Sequence, residues 1–326
     1  MIILAIETSC DDTSLAIFED DKLLFMDTKS QIKIHNQTGG VVPEVAAREH
    51  ANSIFDVLGN VLNGSGKQIE EIDYIGVTTN PGLMPSLLTG ITLGKTIGKV
   101  LNIPLIEINH IQAHIFSNFL ERKESDIKFP LVCLTVSGGH NDIYYMENMW
   151  RMEKIGTSGD DAAGESFDKV AKMMGLSYPG GPIISKLAGE YEQNLLKNPK
   201  LFPRVWLNKD EFNFSFSGLK SSVKREVDKR IKNNLENINS SKELQELHDK
   251  NEVLLSIQDK KEISYEFQNS VNEVLSKKLI NSGLSKNIKT VMLAGGVSAN
   301  SNLRDLIQKQ SKENNLNFIF PTKLVY

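Results

Sequence analysis

Two histidines four residues apart could do chemistry. "INHIQAHIF", residues 108–116, puts His110 and His114 on one face of a short helix. Cβ atoms at that spacing lie about 5–6 Å apart, so both imidazoles can reach one metal ion. A zinc protease uses the same spacing with a Glu beside the first His as general base. Here the inner residues are Ile111, Gln112 and Ala113, so the hydrolytic carboxylate is missing. Two imidazoles also fall short of a complete site, which needs at least a third ligand. On spacing alone, a metal pair and two satisfied structural histidines both stand.

Carboxylates crowd two further stretches. "ETSCDDT" (7–13) packs Glu7, Asp11 and Asp12 around small hydroxyl residues. Such a turn suits Mg²⁺ or a polar donor meeting phosphates, and Asp11 is a candidate to orient the donor or accept a proton. Asp and Ser are also ordinary turn formers. In "GTSGDDAAGESFDKVAKMMGLSYPGGP" (156–182), Asp161, Glu165 and Asp168 recur at i, i+4, i+7 and place three carboxylates on one helix face. Like charges at that spacing oppose a helix, which points to a ligand, although Asp160 and Asp161 also suit a helix N-terminus. Gly180 and Gly181 then allow close approach of backbone to a ligand. Two glycine turns complete the set. "VSGGH" (136–140) can cradle an anion with the N–H groups of Gly138 and Gly139. "LAGGVSAN" (293–300) links an apolar strand to a helix whose N-terminus suits phosphate or ribose. Neither is a dinucleotide fingerprint or a Walker loop.

The elements that must hold these residues read as α/β. "IILAIE" and "SLAIFE" are strands around the polar turn, "DYIGVTT" (73–79) is a strand, 85–102 a helix, "PLIEIN" (104–109) a strand and "HIQAHIFSNFL" a helix. A second cycle opens with strand, turn and return strand over 130–146, and 287–310 reads as strand, turn, helix. Two similar α/β domains facing a cleft are expected, over 1–128 and 129–326, with a helical insertion at about 183–263. Within it, the charged stretch 224–263 is either a solvated surface helix with loop or a basic arm toward nucleic acid.

Bulk properties agree with a two-domain protein: 326 residues, 40% hydrophobic, 24% charged, net charge −4. That charge leaves nucleic acid to a local basic patch or another subunit. Two cysteines, Cys10 and Cys133, exclude a disulfide framework and are read as buried structural residues of a cytoplasmic protein. The N-terminus reads as a strand, not a signal peptide, and no run approaches the roughly 18 apolar residues of a membrane span.

Taken in order, "IETSCDDT", "GGVVPEVAAREH", "NPGLMPSLLTGITLGK", "NHIQAHIFS", "VSGGH", "DDAAGESFDKVAKMMGLSYPGGP", "FSFSGLKSSV" and "AGGVSANSNLR" resemble the tRNA threonylcarbamoyladenosine transferase family of bacterial TsaD type. The resemblance implies an actin/Hsp70/sugar-kinase (ASKHA) fold of two RNase H-like domains around a central cleft. It implies transfer of the threonylcarbamoyl group from threonylcarbamoyl-AMP to the exocyclic amine of adenosine 37 in tRNAs reading ANN codons, with AMP released. His110 and His114 match the family's metal-binding histidines, for one divalent ion, Fe²⁺ ahead of Zn²⁺, with Mg²⁺ as a possible companion of the nucleotide. Thr135, Val136, Ser137, Gly138 and Gly139 match its substrate-binding turn, and Asp168, Gly181 and Asn300 further substrate contacts. Ser185 stands where many members have an Asp that also touches the adenylate. The third metal ligand, an Asp, is expected beyond Tyr326, in a segment the sequence "FPTKLVY" approaches, so the chain reads as C-terminally truncated. A TsaB-like paralogue and a TsaE-like ATPase are the implied partners, with tRNA and no membrane. The rival readings are an ATP-dependent small-molecule kinase or ATPase of the same fold, a metalloprotease, and a non-catalytic scaffold like the family's inactive paralogue.

Overall fold

The computed structural model describes residues 1–120, 122–191, 201–206, 212–236 and 255–321. They form two compact units, Met1–Glu124 and Ser125–Tyr326.

The first unit is built on a five-stranded sheet, β1 Ile2–Glu7, β2 Asp12–Glu19, β3 Lys22–Ser30, β4 Tyr74–Asn80 and β5 Leu105–Asn109, in the order β3-β2-β1-β4-β5. β1, β2 and β3 are antiparallel neighbours, whereas β4 and β5 run parallel to β1. The parallel pairs need crossovers. A short helix α1 (Ile32–His35) leads to α2 (Pro43–Ser65), and α3 (Met84–Leu101) joins β4 to β5. Leu4, Ile6, Leu15 and Ile17 of the sheet meet Ile54, Val57 and Val61 of α2 and Leu93 and Ile97 of α3 in one core. The crossover helices have matching stops, Gly66 after α2 and Asn102 after α3, both left-handed. α4 (His110–Phe116) follows β5 directly and gives way to a 3₁₀ turn at Ser117–Phe119, shorter than the helix read over 110–120.

The second unit repeats the sheet. β6 (Leu131–Val136), β7 (Asn141–Met146), β8 (Met152–Thr157), β9 (Thr290–Ala294) and β10 (Asn317–Ile319) lie in the order β10-β9-β6-β7-β8, with the same directions as their counterparts. β6 therefore corresponds to β1, and the turn Ser137–His140 to the turn Thr8–Asp11. Helices α5 (Ala163–Met173), α6 (Gly180–Gly189), α7 (Ser217–Glu236), α8 (Ile257–Ser285) and α9 (Ser301–Glu313) complete the unit. Leu219, Val223 and Val227 tie α7 into the core at i, i+4, i+8. The rest of the charged stretch, 237–254, lies outside the described residues, as do residues 322–326 of "FPTKLVY".

Candidate active site

Glu7 ends β1, and His110 opens α4. Asn109 fixes the start of that helix by accepting from the Ile111 and Gln112 amides at 2.9 and 3.1 Å, and it donates to Asn80 at the end of β4 at 2.8 Å. The helix is thereby fastened across the ends of two strands. His110 Nδ1 sits 3.1 Å from Glu7 Oε2 and 3.1 Å from Ser9 Oγ. Glu7 also accepts from the Ser9 amide at 2.6 Å and the Thr78 hydroxyl at 2.6 Å. Burial pushes the Glu7 carboxyl up, but His110, Ser9 and Thr78 outweigh it and hold it at about 2. An ionised carboxylate on Nδ1 calls for Nδ1–H, which assigns the ring's second nitrogen, Nε2, the acceptor role. The His114 ring lies 4.4 Å from that of His110, centroid to centroid, at 66°.

This arrangement fits an imidazole-bound metal. A metal-ligating His characteristically donates its other N–H to a carboxylate, and Glu7 occupies that place for His110. The described residues contain no convergence of three or more His, Cys, Asp and Glu side chains, so they supply two donors and an orienting carboxylate. Glu7 was a turn acid in the sequence; its contact with His110 spans 103 residues, which no local spacing signals. Beneath it, buried His50 lies 2.7 Å from Thr13 Oγ1 and 2.9 Å from the Cys10 carbonyl, clamping the turn to α2. Asp11 is in that turn, its carbonyl accepting from the Gln31 amide at 3.1 Å. Cys133 is buried as expected, but Cys10 is exposed, because the turn carries it out of β1.

In the second unit, Thr135, Val136 and Ser137 are buried and only Gly138 and Gly139 are exposed. The turn therefore meets solvent through backbone. Its carbonyls are engaged: Ser137 and Gly138 accept from the Gly164 and Glu165 amides at 3.3 and 2.9 Å, so the turn seats on the N-terminus of α5. Among the described residues the Gly138 and Gly139 N–H groups have no backbone acceptor. Gly164 makes the seat possible, since a Cβ there would lie 2.5 Å from the Ser137 carbonyl oxygen. On the other side Gly295, at φ +85°, presses on Val136, and a Cβ would collide with its carbonyl oxygen. Gly82 repeats this device in the first unit, where a Cβ would lie 2.7 Å from the Ser9 carbonyl oxygen. Gly295 belongs to the glycine turn read in the sequence, whereas the close approaches of Gly82 and Gly164 join distant segments that spacing does not signal.

The acidic run differs from its reading. α5 begins at Ala163, so Asp160 and Asp161 precede the helix, and no face carries three carboxylates. Asp161 pairs with Lys169 at 2.7 Å and with Lys220, and Lys169 also holds Glu165 at 2.7 Å. Asp160 accepts from the Phe216 amide at 2.8 Å and from Ser217 Oγ at 2.6 Å, fastening the start of α7. These two aspartates are staples. Asp168 likewise ties backbone: its Oδ1 accepts from the Gly180 amide at 2.7 Å, fixing the start of α6, and beside it Gly181 has open space where a Cβ would stand. Asn300 caps α9 by accepting from the Leu303 amide at 3.0 Å, and its amide group donates to Ser185 at 3.1 Å. Thr135–Gly139, Asp168, Gly181 and Asn300 thus lie in the second unit, and His110, His114 and Asp11 in the first.

Two five-stranded sheets of identical order, each with a tight turn after its first strand, define an ASKHA-type fold. Component A of the (R)-2-hydroxyglutaryl-CoA dehydratase of Acidaminococcus fermentans shares that fold, with TM-score 0.51 and 12% identity over 98% of this chain and 91% of that one. A family model, TsaD: tRNA N6-adenosine threonylcarbamoyltransferase, matches residues 22–326. The tRNA N6-adenosine threonylcarbamoyltransferases of Syntrophomonas wolfei and Thermosipho africanus are 40% and 41% identical to the chain, over 98% of it and 87% and 88% of their own lengths. The chain belongs to the TsaD family of tRNA N6-adenosine threonylcarbamoyltransferases. The kinase alternative is not favoured by these relatives.

Proposed function

We propose that the chain transfers the threonylcarbamoyl group of threonylcarbamoyl-AMP to the exocyclic amine of adenosine 37 in tRNAs reading ANN codons. The observation that carries this reading is the match to the family over nearly the whole chain. The amine nitrogen attacks the carbamoyl carbon, the bond to phosphate breaks, AMP leaves with the electron pair and the amine gives up a proton. No nucleophilic Ser or Cys is needed. Asp11 is the residue we assign to orient the donor or take that proton.

His110 and His114 would hold one divalent ion, Fe²⁺ in preference to Zn²⁺, with Glu7 and Ser9 engaging the His110 Nδ1 and not its Nε2. When bound, the ion supplies Lewis-acid polarisation of the carbamoyl or phosphate oxygen. The Gly138 and Gly139 amides receive the anionic end of the adenylate, a role supported by their exposure on a turn whose carbonyls are already engaged. Asp168, Gly181 and Asn300 line the adenylate's other contacts, with Mg²⁺ as the nucleotide's companion ion. A TsaB-like paralogue and a TsaE-like ATPase assist, in the cytoplasm. No helix among the described residues is long and apolar enough to cross a membrane.

The test is AMP release from synthetic threonylcarbamoyl-adenylate, with partner proteins present. Release that requires unmodified tRNA supports the proposal. Phosphorylation of a small molecule by ATP, with no tRNA-dependent AMP, overturns it.

A further inference from the structure

Helix α8 carries two amide side chains where a helix that only fills a core would carry apolar ones. Gln268 and Asn272 stand at i, i+4 and are 4% and 0% exposed. Burying amides is unfavourable unless their hydrogen bonds are made, so a pair on one face of a core helix implies a polar task. Their partners are on two other helices. Gln268 Oε1 accepts from Ser185 Oγ of α6 at 2.7 Å and from Asn300 Nδ2, at the cap of α9, at 2.9 Å. Asn272 Nδ2 donates to Asn302 Oδ1 at 2.9 Å and leans toward Asn300 Oδ1 at 3.4 Å.

We propose that Gln268 is a positioning residue for the transfer reaction: it sets the orientation of the Asn300 amide and the polarity of the Ser185 hydroxyl. The inference rests on the reading that Asn300 contacts the adenylate. An Asn amide has two orientations differing by half a turn. Here Oδ1 accepts from the Leu303 amide at 3.0 Å while Nδ2 faces Gln268. Reversal would set an NH₂ group against the Leu303 N–H and an oxygen against Gln268 Oε1. The cap enforces half of this choice, and Gln268 enforces the other half.

The same oxygen decides what Ser185 can offer. Its O–H is committed to Gln268, and it accepts from Asn300 Nδ2 at 3.1 Å. One lone pair remains, so Ser185 meets a ligand as an acceptor. It suits a hydroxyl or amine of the adenylate and not a phosphate oxygen.

The test measures KM for threonylcarbamoyl-adenylate with tRNA and partner proteins at saturation, in the full chain. Gln268→Met keeps the volume and removes the acceptor; Gln268→Glu keeps an acceptor. The expected result is a KM about tenfold higher in Gln268→Met, with kcat little changed and most of the loss restored in Gln268→Glu. In the Gln268→Met, Asn300→Ala double variant, KM should rise no further than in Asn300→Ala alone. Should Gln268→Met fail to fold, Gln268→Asn, which withdraws the acceptor by one methylene, must show the same rise. A wild-type KM in these variants while Asn300→Ala raises it overturns the inference, as do effects that multiply in the double variant. An Asn300→Ala variant with wild-type KM overturns the site reading itself, and the inference with it.

Discussion

Glu7 is the residue on which the metal reading turns. It reaches His110 Nδ1 at 3.1 Å and is held in place by Ser9 and Thr78, so it fixes both tautomer and ring direction. Glu7→Gln keeps the shape and removes the charge; metal affinity should fall about 10- to 100-fold, read by competitive titration with a chelator. Unchanged affinity would deny Glu7 that role. Asp161 belongs to stability. Burial raises its carboxyl, but Lys169 and Lys220 outweigh that and hold it below the ordinary 3.8. A depressed carboxylate contributes stability that is complete above pH 3.8 and lost as pH falls through the folded value. Asp161→Asn should therefore cost about 2 kcal/mol at pH 6, with the deficit shrinking toward pH 3, as urea midpoints at the two pH values would record.

At the scale of elements, the glycines against the two hairpin turns matter most. Gly164→Ala and Gly295→Ala should each cost about 1–3 kcal/mol and raise KM for the adenylate, because both displace the Ser137–Gly139 turn. Gly59→Ala is the contrast. Gly59 lies inside α2 with nothing within 4 Å of a Cβ, so alanine there should stabilise by about 0.5–1 kcal/mol in thermal unfolding and leave kinetics alone. The strand–turn–strand units at β1 and β6 and the strand–turn–helix unit at β9 were legible because these strands are short apolar runs followed by polar or glycine turns. α8 was not. Ser264, Glu266, Gln268, Asn272, Ser276 and Lys278 are all buried along it, which blurs the apolar period that marks a helix. β3 escaped notice too, since an edge strand with mostly exposed or half-buried residues has no alternation to read. The histidine pair and the glycine turns were visible as motifs; Glu7 on His110, Gly164 under Ser137 and Gln268 on Asn300 are contacts between distant segments, and spacing cannot express them.

For the whole molecule, two sheets of one topology recur. The first unit carries the histidine pair on α4 and the carboxylates of the first hairpin turn, and the second carries the exposed glycine turn. Chelation should reduce transfer to a small fraction, and re-addition of Fe²⁺ or Zn²⁺ should restore it, measured as product per tRNA. The most direct test digests a tRNA reading ANN codons after incubation with the chain, its partner proteins, metal and threonylcarbamoyl-adenylate, and weighs the nucleosides. The account predicts threonylcarbamoyladenosine in place of adenosine 37, and its loss in His110→Ala. Unmodified adenosine with the intact chain, under conditions where a relative from the same family modifies it, would contradict the account.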